Sequence, residues 1–130
     1  MLLFGHPFIE SEKFYHIFNA DAVVHTPPNS TLYIEFKEEN LDIIKYLREN
    51  HINFALRVGS ITEVIYAAAL QSSYIMVDKE LAKTAQSIAE NYLFDTKILV
   101  HIEEEDEIEE MALLGIDGVI FSNAIVKISS

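Results

Sequence analysis

The chain has 130 residues and a mass of 14.8 kDa, the size of a single domain, residues 1–130, with one core. Half of its residues are hydrophobic and none is cysteine, which speaks against disorder, excludes disulfides, thiolate nucleophiles and cysteine zinc sites, and fits a reducing compartment. Nine Lys and Arg against 21 Asp and Glu give a net charge of −12, a field that repels nucleic-acid phosphates and acidic membranes, so neither is an expected partner.

At the N-terminus, Leu2–Phe4 reads as a short strand and residues 10–18 as a helix. The start lacks the basic region of a signal peptide, and no apolar run approaches the 18 or so residues of a membrane span, so a soluble, cytoplasmic protein is expected. Pro27-Pro28-Asn29-Ser30 is the clearest break. It separates two β-rich runs, residues 22–26 and 31–36, close enough to pair as a hairpin.

From Thr31 onward the pattern is regular. Apolar β-type runs at 32–36, 53–58, 74–78, 97–102 and 118–121 alternate with helical stretches at 40–50, 60–71, 79–92 and 103–114. Strands alternating with helices of this length imply parallel pairing through right-handed crossovers. Each run first meets a strongly polar residue at Glu35, Arg57, Asp78, His101 and Ser122, in steps of 22, 21, 23 and 21 residues. That repeat of about 22 residues is near the shortest (βα) unit of a barrel. Local signals agree: Ser60 and Glu63 form a capping box, Asp78 stands where it can cap the next helix, and Gly115 closes the last one.

In parallel α/β folds, ligands bind at the carboxyl ends of the strands. The five polar residues stand there, with Asn123 beside Ser122. His101, Glu35 and Asp78 are the candidates for acid–base chemistry, and Arg57, Ser122 and Asn123 for ligand binding. The competing reading is a neutralised network in which Arg57 pairs with its acidic neighbours. The acidic run 103–110 reads as a solvated helix face backed by Ile108, Met111, Ala112 and Leu114. The five histidines show no HExxH or comparable pairing, so no metal site and no cofactor is expected, although His25 and His101 both fall near strand ends. No nucleotide-binding glycine loop or hydrolase elbow is present in the sequence.

Residues 98–123, from Ile98-Leu99-Val100-His101 through the acidic helix start to Gly115-Ile116-Asp117-Gly118-Val119-Ile120-Phe121-Ser122-Asn123, resemble the last βαβ unit of glycerophosphodiester phosphodiesterases. Gly115–Ile120 followed by Ala124-Ile125-Val126 is also similar to the eighth strand and phosphate loop of tryptophan synthase α-type barrels. Both resemblances imply (βα)8 barrels. The first would place Glu35, in Thr31–Lys37, at a metal-ligand position, but the family's early His-Arg-Gly and paired Glu-x-Asp have no counterpart. The second implies a phosphate loop, where Ser122 replaces its glycine. Five (βα)-like strands are too few for eight, so the expected fold is α/β: a parallel sheet of repeated (βα) units, half-barrel or open TIM-like or flavodoxin-like, with an N-terminal strand-helix-hairpin addition. Its second face would need the N-terminal segment or a second subunit as cover, and a homodimer is the preferred expectation. The function expected is a non-enzymatic binding or interaction module. The alternative is a small-molecule site, a phosphorylated ligand among the candidates, or a phosphate-ester hydrolase or lyase at the strand ends.

Overall fold

A computed structural model describes residues 1–128. In chain order it runs β1 (Leu2–Phe4), β2 (Phe14–His16), a 3-10 segment at Ala20–His25, β3 (Thr31–Glu35), α1 (Leu41–Glu49), β4 (Phe54–Arg57) and α2 (Ile61–Ala69). It continues with β5 (Tyr74–Val77), α3 (Lys79–Asn91), β6 (Lys97–Ile102), α4 (Asp106–Leu113), β7 (Gly118–Phe121) and β8 (Ile125–Lys127). Eight strands form one sheet in the order β1-β7-β6-β5-β4-β3-β2-β8, and every neighbouring pair is parallel.

From Thr31 to Phe121 the strands and α-helices fall where the repeat places them, and β8 is a strand beyond it. The N-terminal expectation fails in two ways. Residues 10–18 hold no helix: Phe14–His16 is a strand, inserted in parallel between β3 and β8. No hairpin follows, because the residues of the predicted run 22–26 lie in the 3-10 segment, which Asn19 caps by accepting from the Ala22 amide, or at its C-cap. Instead of adding a separate unit, the N-terminal segment contributes two strands to the common sheet.

That sheet curls into a half-barrel. Following the ladder from His16 leads to Tyr33, Ala55, Tyr74 and Lys97, from the last residue of β2 to the first of β6. Such stagger means strands tilted as in a barrel wall. In a flat sheet β1 and β2, six steps apart, would be roughly 29 Å from each other. Yet the Phe4 and Phe14 rings stand 5.0 Å apart, and Tyr74 lies 5.7 Å from the first and 5.1 Å from the second.

Strand residues alternate between two cores. On the outer face, Leu32, Ile34, Leu56, Ile75, Val77, Ile98 and Val100 pack under helices that bury Ile44, Leu47, Val64, Ala67, Ala82 and Ala85. On the inner face Phe4, Phe14, Tyr33, Ala55, Met76, Leu99 and Ile120, one from each of β1–β7, fill the interior with Ala124. The inner face is therefore covered by the chain itself, which removes the need for a second subunit to cover it.

The Gly-Ile-Asp-Gly segment has a structural explanation. Gly115 has φ +74° and ends α4 in the left-handed region that glycine enters without strain. Asp117 accepts from the Ile98 amide through Oδ2 at 2.9 Å, donates its own amide to the buried Gln86 at 2.9 Å, and accepts from the Leu2 amide. One residue thus fastens β1, β6 and α3 at the foot of the half-barrel.

Two local expectations change. Asp78 occupies the N-cap of α3 but makes no capping hydrogen bond, because its carboxylate turns to Arg57. On α4, Met111 is buried and Ile108 half-buried, while Ala112 and Leu114 are exposed. The acidic run does open this helix: Glu107 accepts from the Glu103 and Glu104 amides at 3.1 and 3.0 Å, which holds its carboxyl below the usual range. Lys79 bridges Glu107 and Glu110 at 3.2 and 3.1 Å. Among the described residues no helix is long and apolar enough to cross a membrane.

Candidate functional site

Side chains alternate along a strand, so the residue two beyond each inner core residue sits above it, toward the strand's carboxyl end. Phe14 is followed in this way by His16, Tyr33 by Glu35, Ala55 by Arg57, Met76 by Asp78, Leu99 by His101 and Ile120 by Ser122. Six strands thus raise one polar residue each above a filled apolar layer. The five strand-end residues read from the sequence all belong to this tier. His16 is its sixth member, hidden by the helical reading of residues 10–18. Its signal is the alternation Phe14-Tyr15-His16-Ile17, with Phe14 and His16 on one face. β1 does not contribute, since Gly5 turns the chain at φ +89° and sends His6 outward to Glu105, 2.9 Å from its Nε2. The Phe8 amide donates to His6 Nδ1 at 3.1 Å, so the proton sits on Nε2.

Four of the six residues pair within the tier. Arg57 forms an ion pair with Asp78. His101 Nε2 lies 2.8 Å from Ser122 Oγ. Glu35, although aligned with Arg57 in the ladder, pairs with Lys37 at 3.1 Å. Asn123 is exposed in the 3-10 turn Ser122–Ala124, where its side-chain oxygen lies over Gly5. Of the two acidic neighbours in the network reading, Arg57 pairs with Asp78 and not with Glu35.

Both tier histidines are held neutral. Burial lowers His101 first, and the Arg57 cation lowers it further against the opposing pull of Glu103, Asp78 and Glu107. Burial likewise lowers His16, with Glu35 opposing and Lys127 adding to the shift. His16 is 9% exposed, and its Nε2 has no hydrogen-bond partner. Beside it a cavity of about 290 Å³ opens between the ends of β2 and β3. His25 is not near this tier's strand ends. It closes the 3-10 segment, whose neighbouring Val24 and Thr26 line a depression with Asn53, just before β4. Among the described residues no three His, Asp or Glu are grouped to hold a metal ion, so the metal-ligand position that the resemblance implied for Glu35 lacks partners.

A pH dependence follows. Both folded-state values lie below the ordinary 6.5, so the unfolded chain binds more protons as pH falls through that value. Stability from these two groups is complete above about pH 6.5 and declines below it, levelling only under the folded-state values. Urea denaturation between about pH 5 and 8 is expected to show this loss, reduced in His101→Gln. An unchanged pH profile in that variant would contradict the assignment.

Compared with known proteins, the chain matches no family model and no curated protein, and the resemblance of residues 98–123 is supported as far as a parallel (βα) half-barrel.

Proposed function

We propose that the chain is a non-enzymatic half-barrel binding module whose small polar ligand meets the tier of His16, Glu35, Arg57, Asp78, His101 and Ser122, with Asn123 at its margin. The observation that carries this reading is the tier itself: polar groups from six strands converge at the carboxyl ends over a solid interior, the place and composition of ligand sites in parallel α/β folds. The Arg57–Asp78 ion pair favours binding over catalysis, because it fixes that cation and that carboxylate against each other.

One contact favours a second reading, an enzyme acting on phosphate esters. A neutral His101 at 2.8 Å from Ser122 Oγ can accept its proton, with Arg57 near enough to influence that histidine as the anion contact. A thermal-shift screen with phosphate esters, nucleotides and divalent ions, on wild type and Arg57→Ala, tests both. The binding reading expects a ligand-induced shift that Arg57→Ala reduces, and no p-nitrophenyl phosphate turnover. Turnover abolished in His101→Gln would replace it with the enzymatic reading. No shift with any compound would remove the phosphorylated ligand.

We further propose a homodimer, now through exposed apolar residues at one end of the molecule rather than the sheet face. Tyr92 and Leu93 after α3 are 71% and 84% exposed, and Leu113 and Leu114 at the end of α4 are 81% and 38% exposed. Light scattering at micromolar concentration would refute this by returning a monomer mass.

A further inference from the structure

The (βα) pattern covers the outer face of the sheet one helix at a time: α1, α2, α3 and α4 follow β3, β4, β5 and β6 and bury Ile44, Val64, Ala82 and Met111 against it. Even β2 is followed by the 3-10 segment, whose Ala22 joins the same core. β1 is treated differently. Residues 5–13 carry the chain from β1 to β2 without a helix, although Leu3 of β1 packs at the margin of that outer core.

In that place, between residues 6–9 and α4, runs an open groove of about 450 Å³. Its apolar surface comes from Leu3 and Ile108, both half-buried, and from Phe8 and Ile9, both exposed. Its charged wall is the acidic side of α4, with Glu105 at the N-cap and Glu109 one turn on. Glu105 meets His6 Nε2 at 2.9 Å. Lys79 is engaged by Glu107 and Glu110 at 3.2 and 3.1 Å, so that among the described residues no ion pair reaches Glu109, and Glu104 and Asp106 on the same run are exposed.

Large apolar side chains exposed along a groove suit an apolar occupant, and carboxylates along one wall suit a cationic one. A hydrophobic small molecule answers the first and leaves the charge of the wall unmet. A second copy brings its own net charge of −12 to the most acidic helix of the chain, which opposes association there. A helix with an apolar stripe and Lys or Arg beside it answers both, and it suits the position, since packed helices stand about 8–10 Å apart and the groove runs where a cover helix next to α4 would stand. We propose that this groove docks a basic amphipathic helix of a partner protein, with its apolar stripe on Leu3, Phe8, Ile9 and Ile108 and its cations toward Glu105 and Glu109. The surface lies on the outer side of the sheet and goes beyond the ligand reading of the tier, which does not depend on it.

The test is fluorescence anisotropy at about 150 mM salt with a labelled, amidated peptide of about 18 residues built from Leu, Lys and Ala, its Leu residues at i, i+3, i+4 and i+7. One control peptide has the same residues in scrambled order, and the other keeps the stripe with Glu in place of Lys. Saturable binding of the first peptide is expected, roughly tenfold weaker for either control, with nuclear magnetic resonance shifts at Leu3, Ile9 and Ile108 rather than at the tier. Glu109→Lys and Phe8→Ser alter exposed side chains and are each expected to weaken binding roughly tenfold, whereas Glu49→Lys, the same charge change on α1, leaves it within about twofold. Equal binding of the scrambled peptide, an equal loss in Glu49→Lys, shifts confined to the tier, or no saturable binding overturns the proposal. Light scattering that gives a dimer for wild type and a monomer for Phe8→Ser also overturns it, by assigning the groove to a second copy. Ligand binding at the tier, read by the thermal-shift screen, stands or falls independently of these results.

Discussion

Phe14→Ala is expected to destabilise the protein by about 3–5 kcal/mol, the range for deleting a buried aromatic ring. Phe14 is fully buried and touches Phe4 and Tyr74 across the half-barrel interior. It therefore belongs to the contacts by which the two flanks of the sheet meet. The Tyr74 hydroxyl below it donates to Glu12 at 3.2 Å, and its pKa is pushed up to about 12 by burial and by that carboxylate, so the ring is anchored and poorly placed to collapse into the void. A domain of this size is stable by about 5–15 kcal/mol, which leaves the variant close to unfolding. Urea denaturation monitored by circular dichroism measures the change. Phe8→Ala serves as the control, because Phe8 is 86% exposed and its loss is expected to stay within about 0.5 kcal/mol. Equal effects would mean that the interior is not packed as described.

The contrast between Phe14 and the strands after Thr31 shows where the sequence is informative. After Thr31 each strand and helix repeats at about 22 residues, so weak local signals reinforce one another. Residues 10–18 stand outside that repeat, and three strand residues are too few for a period of two to stand out from a helical pattern. What makes Phe14–His16 a strand is the pair of parallel neighbours on either side of it, β3 and β8. These are tertiary partners that local propensity does not contain. The cover of the inner face is hidden for the same reason, since the curl depends on stagger between strands and not on the composition of any one.

The site is legible to the extent that the repeat is. Glu35, Arg57, Asp78, His101 and Ser122 are the first polar residues after apolar runs, and the structure gives the reason: each stands two beyond an inner core residue, where its strand leaves the packed interior. What the spacing does not contain is the partner of each. Arg57 has two carboxylates in neighbouring strands, and the choice of Asp78 over Glu35 depends on Lys37 holding Glu35 at 3.1 Å. Side-chain direction on neighbouring strands decides such a contest, and it is fixed only once the sheet has curled.

Gly118→Val is expected to destabilise by about 3 kcal/mol, the upper part of the usual overpacking range. A Cβ at Gly118 would stand 2.7 Å from Leu2 Cβ, 2.8 Å from Leu99 Cδ2 and 2.9 Å from the Leu2 carbonyl oxygen. Leu99 can turn away, but the other two contacts are tied to β1, which pairs with Gly118 in register and is fastened there by the Leu2 amide to Asp117. Relief would require separating β1 from β7 and opening the half-barrel at that flank. Two further glycines separate this steric cause from loss of backbone freedom. Gly115 at φ +74° has nothing within 4 Å of the place a Cβ would take, so Gly115→Ala carries the left-handed strain of about 1–2 kcal/mol alone. At Gly59 the nearest atom is Glu63 Oε1 at 3.9 Å, and Gly59→Ala is expected to stay within about 0.5 kcal/mol. Measured by thermal and urea unfolding, the order Gly118→Val, Gly115→Ala, Gly59→Ala from most to least harmful is required. If Gly118→Val falls below Gly115→Ala, β1 is not held against β7 tightly enough for the curled sheet to be the fold's rigid element.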